Sequence, residues 1–255
     1  QRQMCIRDSY KNKITYLPDE KKTTVMDGHG GYMNGSRYYG EDLPINTWYM
    51  KRFAGLSEDG LSLWYYTDKE TNEEKTTTTY STGDFYLCGD PNPDLYGGFG
   101  TSITFHGFDL STQFSYLVGG LTYDYGYAGM MGNPTATSVG NRWHKDVLKA
   151  WSPENPSSTI PRWHFNDLNT TGSSDRFLID GSYLNLQNIQ VGYTLPDSWT
   201  SHLKIKNLRL YFVCDNVYYW SKRKGLDPRR SISGVGTSGK IAPFRTYSGG
   251  ISLQF

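Results

Sequence analysis

The sequence predicts an all-β protein built from antiparallel strands, and three observations carry that reading. Alanine occurs only five times in 255 residues, whereas glycine occurs 28 times. Few Ala with many Gly, Tyr and Thr fits strands and turns and fits helices poorly. The chain holds 7 Trp, 21 Tyr and 11 Phe, too many aromatics for a chain that stays uncollapsed. Short alternating apolar and polar segments recur between stretches rich in Gly, Asn, Asp, Ser and Pro. The longest uninterrupted apolar run, Leu210 to Cys214, has five residues, against the roughly 20 that a spanning helix needs. A helical membrane protein is excluded.

The first nine residues, Gln1 to Ser9, lack β alternation and differ in composition from the rest of the chain. They resemble a translated sequencing-adapter scar, so residues 1–9 are expected to be non-native and residues 10–255 to carry the fold. The first clear strand runs from Asn46 to Ala54, with Trp48 and Met50 on one face and Tyr49 on the other; a second covers about Leu61 to Tyr66. A hairpin spans Thr101 to Val118, turning at His106-Gly107. Ile103 and Phe105 share a face on its first arm, and Leu110, Phe114, Tyr116 and Val118 on its second, opposite Asp109, Ser111, Gln113 and Ser115. From Tyr183 to Leu195 the apolar phase moves from Leu184 and Leu186 to Ile189, Val191 and Tyr193, which predicts a bulge near Gln187-Asn188. After a turn over Pro196 to Lys206, Leu208, Leu210, Phe212 and Cys214 make the next apolar face. The last strand sets Tyr247, Gly249, Ile251, Leu253 and Phe255 on one side. One helix is predicted, with Trp143, Val147, Leu148 and Trp151 on a shared face, Asn141 as cap and Ser152-Pro153 as stop. It lies in the long insertion between Gly119 and Asp180, a length that usually signals function or mobility.

Strands of about ten residues joined by unequal loops suit either a soluble β-sandwich or propeller, or a membrane barrel with lipid on one face and a wet lumen on the other. Periodicity does not separate them. Two features favour the barrel. Aromatics gather near strand ends, as at Tyr218, Tyr219 and Trp220 or Tyr123, Tyr125 and Tyr127, where interfacial girdles lie. The chain also stops on an apolar strand ending in Phe255, as a strand that pairs within a closed barrel is able to do.

From about Trp48 to Phe255 the sequence resembles the C-terminal barrel region of the SusC/RagA family of TonB-linked outer-membrane transporters from Bacteroidetes. The most specific stretch is SYLNLQNIQVGYTLP (Ser182–Pro196). It is followed by LRLYFVCDN (Leu208–Asn216), WSKRKGLDP (Trp220–Pro228) and FRTYSGGISLQF (Phe244–Phe255). GDPNPDLYGG (Gly89–Gly98) and KDVLKAWSPENP (Lys145–Pro156) fit the same pattern upstream. The resemblance implies the C-terminal strands of a large antiparallel transmembrane β-barrel, with one short helix in an outer loop. It also implies an outer-membrane location and a SusD-like surface lipoprotein as lid. The implied activity is import of oligosaccharides, or less often peptides, driven by TonB pulling on a plug. The plug and the TonB-engaging segment have no counterpart in this sequence, so the chain is expected to be the C-terminal part of a longer gene product, supplying wall and outer loops. In such proteins a terminal aromatic on an alternating last strand is read by the assembly machinery. The resemblance therefore implies an assembly signal at Phe255, with Leu253, Ile251 and Tyr247.

Other motifs carry less. Gly234 to Gly239 matches G-x-G-x-x-G, but Pro243 soon after it precludes the helix such a phosphate loop needs, and Ile241 replaces the Ser or Thr. A nucleotide site is rejected. His29, His106, His144, His164 and His202 show no ligand spacing, Cys5, Cys88 and Cys214 no paired spacing, and no G-x-S-x-G occurs. Asp90, Asp94, Asp124 and Asp167 sit mostly in turn contexts, which argues against a paired glycosidase site; the turns at Asp90 and Asp94 lack the spaced oxygen ligands of a Ca²⁺ loop. No catalytic residue, cofactor or metal is expected. A net charge of +1 predicts no general affinity for nucleic acid. The basic run Lys222, Arg223, Lys224, Arg229 and Arg230 is expected to be a solvated outer loop. Trp143, Trp151 and Trp163 are the candidate contacts to a substrate such as a sugar ring, with packing as the competing role of the first two. The alternative function is a soluble or surface β-rich protein that binds or cleaves glycans.

Overall fold

A computed structural model describes residues 2–8, 11–135, 140, 142–167, 172–200, 205–222, 225–230, 233–235 and 243–255. Its strands begin with β1 (Arg2–Asp8), β2 (Thr24–Met26), β3 (His29–Asn34), β4 (Arg37–Gly40), β5 (Thr47–Lys51), β6 (Phe53–Leu56), β7 (Ser62–Thr67), β8 (Glu74–Thr77) and β9 (Phe85–Leu87). The longer ones come next: β10 (Leu95–Phe105), β11 (Phe108–Val118), β14 (Tyr183–Thr194), β15 (Asn207–Ser221) and β16 (Thr246–Gln254), with the short β12 (Leu121–Tyr123) and β13 (Leu178–Asp180) after β11. Two short helices, α1 (Tyr125–Met130) and α2 (Asp197–Thr200), complete the order.

The long strands form one antiparallel sheet in the order β1-β10-β11-β14-β15-β16. Alternation divides its faces. Ile103, Phe105, Leu110, Val191, Leu210, Phe212, Tyr218, Trp220, Ile251 and Leu253 are large apolar side chains left exposed on one side. Asp109, Gln113, Asn185 and Arg209 occupy the other. This is the barrel-wall pattern the sequence predicts. The hairpin turns at His106 and Gly107, whose φ angles of 47° and 84° match the two left-handed residues of a type I′ turn.

The predicted bulge is present and wider than expected. Thr112, Ile189 and Cys214 pair in one row, and Phe114, Leu186 and Tyr218 in the next outward row. Between those rows β11 has one residue (Gln113), β14 two (Gln187, Asn188) and β15 three (Asp215, Asn216, Val217). The extra residues accumulate strand by strand at a single level, with Asn216 at φ 52°. Such insertions bend a strand and raise its twist, which curls the sheet toward closure.

The compact core lies outside this sheet, in the connections. Trp48, Met50, Tyr123, Met131 and Phe177 cluster there, with Cys88, Leu121, Val147 and Ile160 packed around them. The connection before β10 and the one before β14 thus share a core, and the Trp48 indole N–H donates to the Leu121 carbonyl at 3.0 Å. Burying a side chain such as Met50, 1% exposed, contributes about 1.5–3 kcal/mol.

Three local expectations are corrected. Residues 143–151 do not form an amphipathic helix: Lys145–Lys149 make one 3-10 turn, and Leu148 is 90% exposed. Val147 is drawn to the core while the Trp151 backbone N–H bonds the Ile160 carbonyl, so the four residues serve different neighbours. The His144 ring caps the turn by accepting from the Asp146 N–H; Asn141 lies outside the described residues. The helix of this loop is α1, which the sequence conceals behind Gly126 and Gly129, and Asp124 caps it through the Tyr127 N–H at 3.0 Å. Tyr123 and Tyr127 are not an interfacial girdle, because both pack in the loop core. The 46–54 strand breaks at Arg52 into β5 and β6, and all five β5 residues are buried. Both its faces are covered, Tyr49 by Phe85 and Tyr38, and Trp48 by Tyr123.

Arg2–Asp8 pairs along β10 in register from Arg2↔Ser102 to Asp8↔Tyr96. Such pairing runs through backbone groups, so it requires no particular side chains.

Candidate functional site

The wall's polar face and the loops above one end of it hold the candidate residues. On that face Arg209 of β15 reaches over β14 to Asp109 of β11. Its Nε donates to Oδ1 at 2.9 Å and its Nη2 to Oδ2 at 2.6 Å. The residue beneath is Gly192, where any Cβ would collide with both partners. At the bulge, Asn188 donates to Asp215 at 2.6 Å, and Asn216 donates to the carbonyls of Pro243 and Phe244.

Above the sheet two charged groups tie the loops together, and a third, Arg229, ties a loop to the wall itself. Arg37 lies 3.1 Å from the Trp48 ring centre and donates to the Asn46 carbonyl at 2.5 Å and to that of Ser233. Burial pulls its guanidinium down to about 10, so it stays charged at neutral pH. Lys51, 4% exposed, donates to the carbonyls of Tyr80 at 2.5 Å, Ser81 at 3.1 Å and Gly83 at 2.7 Å. Burial lowers its ammonium pKa, and the three carbonyls serve as its ligands. Arg229 turns inward and pairs with Asp227, contrary to the solvated basic loop expected; Arg223, Lys224 and the Arg230 side chain lie outside the described residues.

The three candidate tryptophans separate into a pair and a single residue. Trp143 and Trp163 meet edge to face with ring centres 5.6 Å apart. Both indole N–H groups donate to the Gly132 carbonyl, at 3.0 and 3.4 Å, and Trp163 remains 42% exposed. Trp151 instead covers Gly60, where a Cβ would strike its ring. Sequence reasoning found the pair's members, but not Gly132, whose carbonyl orients both.

Tyr247, Ile251, Leu253 and Phe255 are all exposed, Phe255 by 73%. Tyr247 stacks on Phe212 at 6.1 Å, and the Lys206 ammonium donates to the Phe255 carbonyl at 3.1 Å. Asp90 and Asp94 line a cleft of about 580 Å³ with Lys11, Asn12, Lys13 and Asp42. Asp90 accepts from the Asn92 backbone and side chain, a local turn bond. Among the described residues no cluster of metal-ligating side chains forms. Gly234 and Val235 of the glycine-rich run sit against Leu121 and Tyr123; residues 236–242 lie outside the described residues.

No family model matches the chain. Among curated proteins it is 28% identical over 275 residues to TonB-dependent receptor P3 of Formosa agariphila, covering 96% of this chain and 26% of that protein. It is 27% identical to TonB-dependent receptor SusC of Bacteroides thetaiotaomicron, covering 69% of this chain and 17% of that protein. Among solved structures it matches the RagAB peptide transporter with a TM-score of 0.79 at 23% identity, over 99% of this chain and 27% of that one. The RagAB peptide importer in its closed-closed state matches at 0.72 and 25% identity, over 88% of this chain and 25% of that one. The chain thus spans about a quarter of the length of the first of these relatives.

Proposed function

As a stretch of protein similar in sequence and fold to SusC/RagA-type TonB-dependent transporters, the chain is, we propose, part of the wall and outer loops of an outer-membrane importer. The observation that carries this reading is the six-stranded antiparallel sheet with an exposed apolar face and a hydrogen-bonded polar face. In lipid the first face is solvated by acyl chains and the second by a wet lumen. The same face in water would be a large apolar patch of the kind soluble monomers avoid, which disfavours the soluble glycan-binding reading.

The cargo class is oligosaccharide or peptide, captured with a SusD-like lipoprotein and admitted by TonB acting on a plug encoded upstream. The chain's residues supply wall and loops and no reacting centre. Trp163, exposed and held against Trp143, is the loop residue best placed to stack on a sugar or aromatic side chain. Phe255 with Leu253, Ile251 and Tyr247 forms the assembly signal, and residues 1–9 are a foreign leader, of which Arg2–Asp8 occupies a native strand's place beside β10.

The test is genetic and biochemical. The complete gene is expected to encode a plug before this segment and to lie beside a SusD-like gene. Its product is expected in the outer-membrane fraction, and deletion is expected to abolish uptake of one glycan or peptide class. A secreted soluble enzyme module directly upstream would overturn the proposal.

A further inference from the structure

After β15 ends at Ser221 the chain folds back over the polar face of the wall. Leu226 is 2% and Asp227 5% exposed, and the Ser221 hydroxyl donates to the Leu226 carbonyl at 3.0 Å. Arg229 is the centre of this packing. Its Nε and Nη2 donate to the two Asp227 carboxylate oxygens, each at 2.8 Å. Its Nη1 donates to Asn185 Oδ1 at 2.7 Å and to Asn216 Oδ1 at 2.8 Å. The guanidinium also lies 4.5 Å from the Tyr219 ring centre.

The direction of these contacts matters. Asn185 alternates with Leu184 and Leu186, which pair with Trp220 and Tyr218 on the exposed apolar face. Asn185 therefore points to the polar side, as does Tyr219 between Tyr218 and Trp220. Asn216 is the left-handed residue of the widest insertion, at φ 52°. Arg229 thus joins a loop carboxylate, a residue of β14 and the bulge of β15. A planar fork with several fixed donors performs this bridging, whereas a lysine ammonium presents a point charge. A few residues on, the Gly234 carbonyl accepts from the Tyr123 N–H at 2.8 Å, so the chain is attached to the loop core as well.

We propose that Arg229 is a positioning residue that pins the segment 225–230 to the inner face of the wall at the bulge, making that segment part of the lining of the transport path. Arg229 is then no docking point for anions, since Asp227 neutralises it within the wall. This inference rests on the importer reading for the word path, and on the geometry alone for the pinning.

The test uses the full-length protein on intact cells, with every native cysteine, Cys88 and Cys214 among them, replaced by alanine and the leader that carries Cys5 omitted. Leu226→Cys reports the segment, and Ser111→Cys, paired with Gln190 on the far side of the bulge, reports the polar face away from it. With Arg229 present, a membrane-impermeant maleimide is expected to label Leu226→Cys slowly. Adding Arg229→Met is expected to raise that rate at least tenfold and leave the rate at Ser111→Cys unchanged. Arg229→Lys is expected to behave like Arg229→Met, because the fork and not the charge makes the bridge. Equal labelling of Leu226→Cys with and without Arg229, in protein at the surface, overturns the proposal. If Arg229→Met does not reach the surface, Asn185→Ala carries the same test: it removes one acceptor and keeps the Asp227 pair, and an unchanged rate overturns the pinning. Absence of the parent protein from the outer membrane counts instead against the importer reading.

Discussion

Gly192 shows how one missing side chain allows a contact between strands that are not neighbours. Adjacent strands lie about 4.8 Å apart, so Asp109 on β11 and Arg209 on β15 meet only by crossing over β14. The space they use is the one a Cβ at Gly192 would fill. Gly192→Leu is expected to separate the pair. Both partners are about a quarter exposed, and the loss is expected to be about 1 kcal/mol, in the range of partly screened ion pairs. Thermal denaturation of the full-length protein in detergent measures it. In an Asp109→Asn background the Gly192→Leu penalty is expected to shrink, since there is less of a pair left to break; an undiminished penalty would assign the effect to backbone crowding instead. Lys51 makes a related point, because its buried ammonium is satisfied by three carbonyls and not by a carboxylate. No spacing rule in the sequence reveals such a cluster.

At the scale of the element, β16 depends on β15 for its place. Its register runs from Asn207↔Gln254 to Asp215↔Thr246, so it starts at the level of the widened bulge and runs away from it. Its side chains Tyr247, Ile251 and Leu253 continue the apolar face of Cys214, Leu210 and Leu208. Deleting Phe255 from the full-length protein is expected to lower the amount of assembled barrel while leaving synthesis intact. Surface labelling and heat-dependent gel mobility check this, and unchanged values for both would refute the assembly role. The strand pattern was legible because period-two alternation is local: β11, β14, β15 and β16 fall where alternation puts them, while β10 begins at Leu95, six residues before the predicted Thr101, because Gly97, Gly98 and Gly100 carry no side chain to show the alternation. The 3-10 turn at Lys145–Lys149 was not, because Val147 and Trp151 satisfy partners far away in sequence, and four apolar residues at helical spacing do not disclose that.

At the scale of the whole molecule, the described sheet has two unpaired edges, one on β1 and one on β16. Exposed edges recruit other strands, and barrel closure fixes strand number, tilt and stagger together. Residues 10–255 expressed alone are therefore expected to aggregate or to run as an unfolded band. The full-length protein is expected to give a compact, heat-modifiable band in the same detergent. A compact band from residues 10–255 alone would show that this segment closes by itself. The loop core built on Trp48, Met50, Tyr123 and Phe177 is independent of closure, because it joins the two long connections and not the sheet edges.

The sequence by itself determined most of the long wall strands, the two-sided character of the wall, the turn at His106-Gly107 and the phase change at Gln187-Asn188. Each of these is written in neighbouring residues, through side-chain alternation or allowed φ. Only the tertiary structure decided which aromatics are buried, that Arg229 faces the wall, and that Trp143 and Trp163 meet at Gly132. Those outcomes depend on contacts between residues 11 to 73 positions apart, and a local pattern carries no record of the partner across that distance.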